Sequence, residues 1–116
     1  FNERAVASIE RSGFHVEKGG NDNPLYKVWF SPEQEPIRAY SKLYDDPENA
    51  ADQFAAIMTC SHADENCPFI PGTEKRISVT YEDPKSFDGS PMESENYAER
   101  SVQIASEMFY VFSQIK

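Results

Sequence analysis

Two cysteines close together in the chain are the residues best suited to chemistry. The segment from Thr59 to Pro68 contains both cysteines of the chain, Cys60 and Cys67, with six residues between them. A loop of this length can close into a disulfide, yet it is too long to be held rigid like a Cys-x-x-Cys turn. Closing it restricts the unfolded chain by only about 2–3 kcal/mol on the loop-entropy account, which is typical of a reversible bond. The spacing therefore favours a redox pair.

Two other interpretations of the cysteines stay open at this point. They can be half-buried thiols without a chemical role, because free cysteine is among the most buried residue types. A closed zinc site would need two more ligands, and the only histidines are His15 and His62. His62 lies two residues from Cys60, outside the usual ligand spacings. We therefore expect neither a metal nor a cofactor.

Asp83 is the third candidate residue. It directly precedes Pro84 at the end of a predicted strand, and an Asp-Pro step in that position is commonly no more than a turn. The functional alternative is a general acid at the rim of an anion site, where it would protonate a leaving oxygen. The dipeptide Asp46-Pro47 is similar and shows how little the local sequence discriminates.

The elements around the cysteines place them at the edge of a sheet. Residues 54–58 form a continuous apolar run, typical of an inner strand buried on both faces. The segment 68–72 behind the cysteines contains two prolines and cannot continue a helix or a central strand. Residues 77–81 alternate and are β-branched, which predicts a second strand. Cys60 should then lie at the carboxyl end of the inner strand, where ligands collect in open α/β sheets, with Cys67 on the following loop.

The remaining pattern predicts a single α/β domain over residues 1–116. Asn2 as N-cap and Gly13 as terminator predict a helix over residues 3–12. Residues 25–30 and 37–44 predict an antiparallel hairpin, in which Trp29 and the tyrosines are interpreted as cross-strand packing and only alternatively as a substrate surface. Ser90, Pro91 and Glu93 match a capping box, and a broad apolar stripe from Tyr97 to Ile115 predicts a long C-terminal helix. Lys75 and Arg76 are interpreted as a solvated pair flanking a strand.

Composition limits the classes of function. The chain has 116 residues, a hydrophobic fraction of 39% and a formal net charge of −9. That charge argues against nucleic acid or an anionic membrane as partner, and no apolar run approaches the ~20 residues of a membrane span. An anionic substrate would need a local cradle of N–H groups and arginine. Two cysteines without a signal peptide favour a reducing compartment, which makes a cytoplasmic location the expectation.

The blocks around the cysteines resemble a known superfamily. Thr59-Cys60-Ser61, Asn66-Cys67-Pro68, Asp83-Pro84 and the C-terminal amphipathic helix are similar to thioredoxin-coupled arsenate reductases of the low-molecular-weight protein tyrosine phosphatase superfamily. Residues 67–76 and 97–113 look closer still to a Bacteroidetes-type branch, which also carries an insertion resembling residues 23–46. The resemblance covers nearly the whole chain and is strongest from Ala55 onward.

The resemblance implies a fold and roles for three residues. The fold would be part of a phosphatase-like sheet with parallel inner strands, a β-hairpin insertion and a long C-terminal helix. Cys60 matches the cysteine that attacks the thiol–arsenic adduct, Cys67 matches the one that resolves it, and Asp83 matches the general acid. The partners implied are a small oxyanion or phosphoester substrate and a thioredoxin-like reductant.

One departure from the family limits this prediction. The family's nucleophile lies in an N-terminal Cys-x5-Arg loop, and this sequence contains no such loop. The sequence is thus expected to represent the C-terminal portion of a family member, inactive on its own, with an exposed apolar surface that favours self-association. The alternatives are a non-catalytic binding or regulatory module that retains the fold, and a thiol switch without anion chemistry.

Overall fold

The computed structural model describes residues 1–59 and 70–116, which form two α-helices, two β-sheets and one short 3-10 helix. The predicted mixed α/β class is confirmed. In chain order the elements are α1 (Glu3–Arg11), β1 (His15–Gly19), β2 (Leu25–Trp29), β3 (Ile37–Ala39), β4 (Phe54–Met58), β5 (Thr73–Ser78), the 3-10 helix (Pro84–Phe87) and α2 (Glu93–Ser113).

Helix α1 begins and ends as its sequence predicts. The Asn2 side chain accepts a hydrogen bond from the Arg4 backbone N–H at 2.8 Å, so one of the free donors of the first turn is satisfied. Gly13 follows the helix with φ 99°, a conformation that residues with a side chain rarely adopt. The predicted helix over residues 3–12 is therefore confirmed to within one residue.

The antiparallel sheet has the order β1-β2-β3 and contains the predicted hairpin as β2 and β3. The strand predicted over residues 37–44 is too long, because β3 covers only Ile37–Ala39. On β2, Tyr26 and Val28 are buried while Lys27 between them is exposed, which is the alternation of a strand covered on one face. His15 lies opposite Trp29, and their ring centroids are 5.2 Å apart. The interpretation of Trp29 as cross-strand packing is confirmed.

The second sheet is a parallel pair in which Ile57 lies opposite Ile77. The Val79 N–H donates to the Met58 carbonyl at 2.9 Å, which prolongs the pairing by one residue. The strand predicted over residues 77–81 is wrong in its bounds, because the residues that pair with β4 run from Thr73, opposite Phe54, to Ser78, opposite Met58. Tertiary pairing has overridden local β-propensity here.

Two further expectations about this sheet are corrected. Lys75 and Arg76 lie within β5, and they do not flank it. Strand β4 is not buried on both faces: Met58 is buried, Ala55 is exposed, and the other three residues are intermediate. The reason is that, across the two described ranges, β5 is the only strand that pairs with β4.

Helix α2 begins two residues later than the capping box predicts. Ser90 Oγ accepts from the Met92 N–H at 3.2 Å, but residues 90–92 form a turn and the helix starts at Glu93. Glu93 reaches back to the Gly89 N–H at 2.8 Å and also accepts from Arg4. The assignment of Ser90, Pro91 and Glu93 to the N-cap, N1 and N3 positions is therefore wrong by two residues, since Met92 is the N-cap.

The core is small. The radius of gyration is 15.4 Å, against about 13 Å expected for a compact domain of this length. Among the described residues, the buried hydrophobic ones are Val6, Tyr26, Val28, Met58, Val79 and Tyr97.

Within residues 1–59 and 70–116, no helix has the combination of length and apolar character that a membrane crossing requires.

Candidate functional site

A groove of about 800 Å³ lies where the two helices meet the ends of both sheets. Helix α1 and helix α2 form its walls, and the antiparallel sheet contributes Val28, Ile37 and Ala39. Most of the lining is apolar, as is usual for ligand sites, and a few polar groups converge on it. Its polar lining includes the side chains of Ser8, Thr59, Asp83, Tyr97 and Arg100.

The carboxyl ends of β4 and β5 open into this groove. Thr59 follows β4 directly, Asp83 follows β5 after a short connection, and both line the groove. Parallel strands bring their carboxyl ends to one edge of a sheet, and this is the reason that residues so far apart in sequence meet. Cys60 is the next residue after Thr59, but Cys60 and Cys67 both lie outside the described residues.

Asp83 has a structural role that its local sequence predicts. Its Oδ1 accepts from the Lys85 backbone N–H at 3.0 Å, so Asp83 is the N-cap of the 3-10 helix. The turn interpretation of Asp-Pro is therefore confirmed. The bond uses one carboxylate oxygen, and the side chain is exposed at the groove, so the position also suits proton transfer to a bound ligand.

Two polar groups of the groove were not identified from the sequence. Ser8 is 4% exposed, and its buried Oγ has no hydrogen-bond partner among the described residues. Arg100 donates through Nη1 to Gln103 Oε1, but its buried Nε also has no described partner. A buried unpaired polar group costs about 1–3 kcal/mol, so a ligand that offers an acceptor to these donors would remove that cost.

A signal for Arg100 was present in the sequence. It is the only basic residue between Glu93 and Ser113, and it interrupts the apolar stripe of α2 next to Ser101. A single arginine on the covered side of an amphipathic helix is unusual, because charged groups are rarely buried without a partner. Ser8 had no such signal, since serine is common in helices of every environment.

Tyr97 connects the groove to the helix ends. It is 5% exposed, and its hydroxyl donates to Asp88 Oδ1 at 2.9 Å and accepts from Asn2 Nδ2 at 3.2 Å. Burial, followed by the bond to the Asp88 carboxylate, raises the pKa of Tyr97 above its usual value. The phenol therefore stays protonated at neutral pH and holds the beginnings of both helices together.

An ion-pair cluster secures the same junction on the solvent side. Arg4 Nε lies 2.6 Å from Glu93 Oε1, and Arg4 Nη1 lies 3.5 Å from Asp88 Oδ2. The Gly89 N–H, and then Arg4, lower the pKa of Glu93. Because the pair is partly exposed, its contribution is to orientation more than to stability.

The structure offers no metal centre in its described part, since no three His, Cys, Asp or Glu side chains cluster there as ligands would. Comparison of the chain with protein-family models, with curated proteins and with solved structures finds no match in any of the three.

Proposed function

We propose that this chain carries the redox relay and the general acid of an oxyanion-processing enzyme, similar to thioredoxin-coupled arsenate reductases and low-molecular-weight phosphatases. The observation that carries the proposal is that Thr59 and Asp83 line one groove at the carboxyl edge of a parallel strand pair. This is the edge at which α/β folds place their chemistry. In this proposal β4 and β5 are inner strands of a phosphatase-like sheet, and residues 23–46 are an insertion.

The two cysteines act in sequence in this proposal. The Cys60 thiolate attacks the sulfur of an enzyme thiol–arsenic adduct, so that arsenite leaves with the electron pair and a mixed disulfide forms. Cys67 then attacks Cys60, and the first thiolate is released. A dithiol of the thioredoxin class reduces the Cys60–Cys67 bond and restores both thiols.

Asp83 serves the phosphoester branch of the proposal. Its carboxylic acid form would give a proton to the leaving oxygen, and its place at the groove lets it reach a bound ester. Arg100 and Ser8 add donors to the same groove, which supports an anionic ligand in a chain whose net charge is −9. The sequence has no Cys-x5-Arg loop, so the proposal requires the nucleophile to come from residues other than these.

The relay is tested on the 116-residue chain itself. After mild oxidation, mass spectrometry should detect an intramolecular Cys60–Cys67 bond, and thioredoxin with its reductase should reopen it while NADPH is consumed. Cys67→Ser should abolish the intramolecular bond and trap Cys60 as a mixed disulfide. A wild-type chain that forms only intermolecular disulfides would end the relay proposal.

The enzymatic part is tested by supplying the nucleophile. The chain is fused behind a segment that contains a Cys-x5-Arg loop, and arsenate reduction and p-nitrophenyl phosphate hydrolysis are assayed. Asp83→Asn should lower kcat for the phosphoester by about 10²–10⁴-fold and leave the relay bond intact. If neither assay detects activity, the enzymatic proposal is refuted.

A second candidate is a non-catalytic interaction module, and the exposed aromatic residues of α2 favour it. Phe109 is 80% exposed and Phe112 is 67% exposed. Soluble monomers rarely expose such clusters without a partner. A relay bond that cycles without any oxyanion activity would leave this candidate, or a thiol switch, as the function.

A further inference from the structure

The exposed face of α2 has the spacing of a helix–helix seam. Val102, Ala105, Phe109 and Phe112 follow one another at intervals of three, four and three residues, and all four are exposed. This alternation of three and four is the repeat with which one helix packs along another. We call these four residues the α2 seam.

Charge is absent from the α2 seam, although the chain is strongly acidic. Between Val102 and Ser113 the only charged residue is Glu107, and its position in the helical repeat puts it on the side opposite the seam. The net charge of the chain is −9, so most of its surface would repel a second copy. The seam is therefore a surface on which two copies can approach without a large electrostatic cost.

The sizes of the seam residues favour one orientation. The first two, Val102 and Ala105, are small, and the last two, Phe109 and Phe112, are large. An antiparallel pair places Ala105 against the partner's Phe109 and Val102 against the partner's Phe112, so that small residues face large ones. A parallel pair would stack phenylalanine on phenylalanine and leave a gap at alanine, which costs packing.

We propose that α2 forms an antiparallel, two-fold symmetric dimer with α2 of a second copy of this chain through the seam. The amino-terminal part of α2 is already covered by α1 and the 3-10 helix, so antiparallel pairing of the uncovered halves keeps the two folded bodies at opposite ends. It also brings Lys116, just beyond the helix, towards the partner's Glu95 and Glu99, so that opposite charges attract across the contact. Ala105 lies on the groove as well, so the partner helix borders the groove.

The contact is short, and a moderate affinity follows from its size. The segment from Val102 to Ser113 spans about 18 Å at 1.5 Å per residue. Such a contact buries less than a standard interface, so we expect a dissociation constant of about 10 μM. Analytical ultracentrifugation under reducing conditions should show monomer at about 1 μM and mainly dimer at about 200 μM.

A matched pair of variants distinguishes association through the seam from non-specific hydrophobic association. Phe109→Glu changes a seam residue, and Tyr110→Glu changes its neighbour, which is 63% exposed but lies off the seam. Phe109→Glu should weaken the dimer at least about tenfold, while Tyr110→Glu should change it by less than about threefold. Both side chains are exposed in the single chain, so circular dichroism should be unchanged. A monomer at all concentrations, or a dimer that resists Phe109→Glu, overturns the proposal.

Orientation is tested by disulfide trapping in a Cys60→Ser, Cys67→Ser background. Antiparallel pairing keeps the two copies of residue 102 about 15 Å apart, at 1.5 Å per residue, and puts residue 102 opposite residue 112. A mixture of Val102→Cys and Phe112→Cys chains should therefore cross-link to each other faster than Val102→Cys cross-links to itself. The reverse order would refute the antiparallel arrangement.

Discussion

The two halves of α2 carry the same kind of apolar pattern but have different surroundings. In the first half Asn96 and Tyr97 are buried, and hydrogen bonds and ion pairs tie this half to α1. In the second half Phe109 and Phe112 are largely exposed. The difference teaches that helical periodicity specifies which face of a helix is apolar, whereas the covering of that face depends on what else the chain or its partners supply.

Tyr97 and Tyr110 give the strongest test of this comparison. Tyr97→Ala removes a ring that is 5% exposed and should lower the free energy of unfolding by about 3–4 kcal/mol. Tyr110→Ala removes a ring that is 63% exposed and should change it by no more than about 0.5 kcal/mol. Urea denaturation well below the dimerisation range measures both. Equal losses for the two variants would mean that the second half of α2 is covered after all.

Two glycines with similar backbone angles compare the turn before β5 with the turn before α2. Gly72 has φ 81° and Gly89 has φ 76°, so alanine strains both, but only at Gly72 would the new methyl group collide with a backbone carbonyl, that of Ala51. We expect Gly72→Ala to destabilise by about 3 kcal/mol and Gly89→Ala by about 1 kcal/mol. Thermal unfolding followed by circular dichroism measures both losses of stability and should show the larger loss for Gly72→Ala. A milder effect at Gly72 would indicate that the turn before β5 yields easily.

Asn2 tests how far the first half of α2 depends on the capped start of α1, which packs against it. Asn2→Ala removes the acceptor for the Arg4 N–H and the donor to Tyr97, and should cost about 1–2 kcal/mol. Asn2→Ser keeps a capping oxygen and should recover about half of that loss. Denaturant midpoints for the two variants provide the measurement. Identical midpoints would assign the whole effect to the bond with Tyr97.

The smallest expected effect is a change in acid sensitivity. Because the pKa of Glu93 is lowered in the folded chain, its contribution is present above its usual value of 4.5 and is lost as the pH falls from there through the lowered pKa. Glu93→Gln should therefore flatten the fall of stability in this acid range. Arg4→Gln should flatten it less, since the Gly89 N–H is the larger cause and remains. Urea titrations at several acid pH values can refute this order.

Much of the local structure followed from the sequence, but tertiary pairing did not. Helix α1 and the hairpin of β2 and β3 have strong local signals, namely caps, glycine and alternation. The bounds of β5 could not be predicted, because its partner β4 selects which residues pair. The start of α2 differs from the predicted one because Glu93 accepts hydrogen bonds from the Gly89 N–H and from the Arg4 side chain. Arg4 belongs to a segment far away in sequence, so this contact has no local signal.

The candidate site divides in the same way. The sequence placed Cys60 and Asp83 at the ends of two predicted strands, but the parallel pairing that brings Thr59 and Asp83 to one groove was expected only from the family resemblance. Ser8 and Arg100 come from different helices, and only the packing of α1 on α2 brings them to one groove. Contacts of that kind have no local signature beyond the isolated arginine of an apolar stripe.

The parallel arrangement of β4 and β5 has a consequence for folding speed. A parallel pair cannot close through a tight turn, and here 14 residues, from Thr59 to Gly72, separate β4 from β5, so this long connection must close before the strands pair. A covalent bond between residues 60 and 67 would shorten this excursion and reduce the entropy lost when the strands meet. The oxidised chain should therefore refold faster than the reduced one, so that the refolding rate would report the redox state of Cys60 and Cys67.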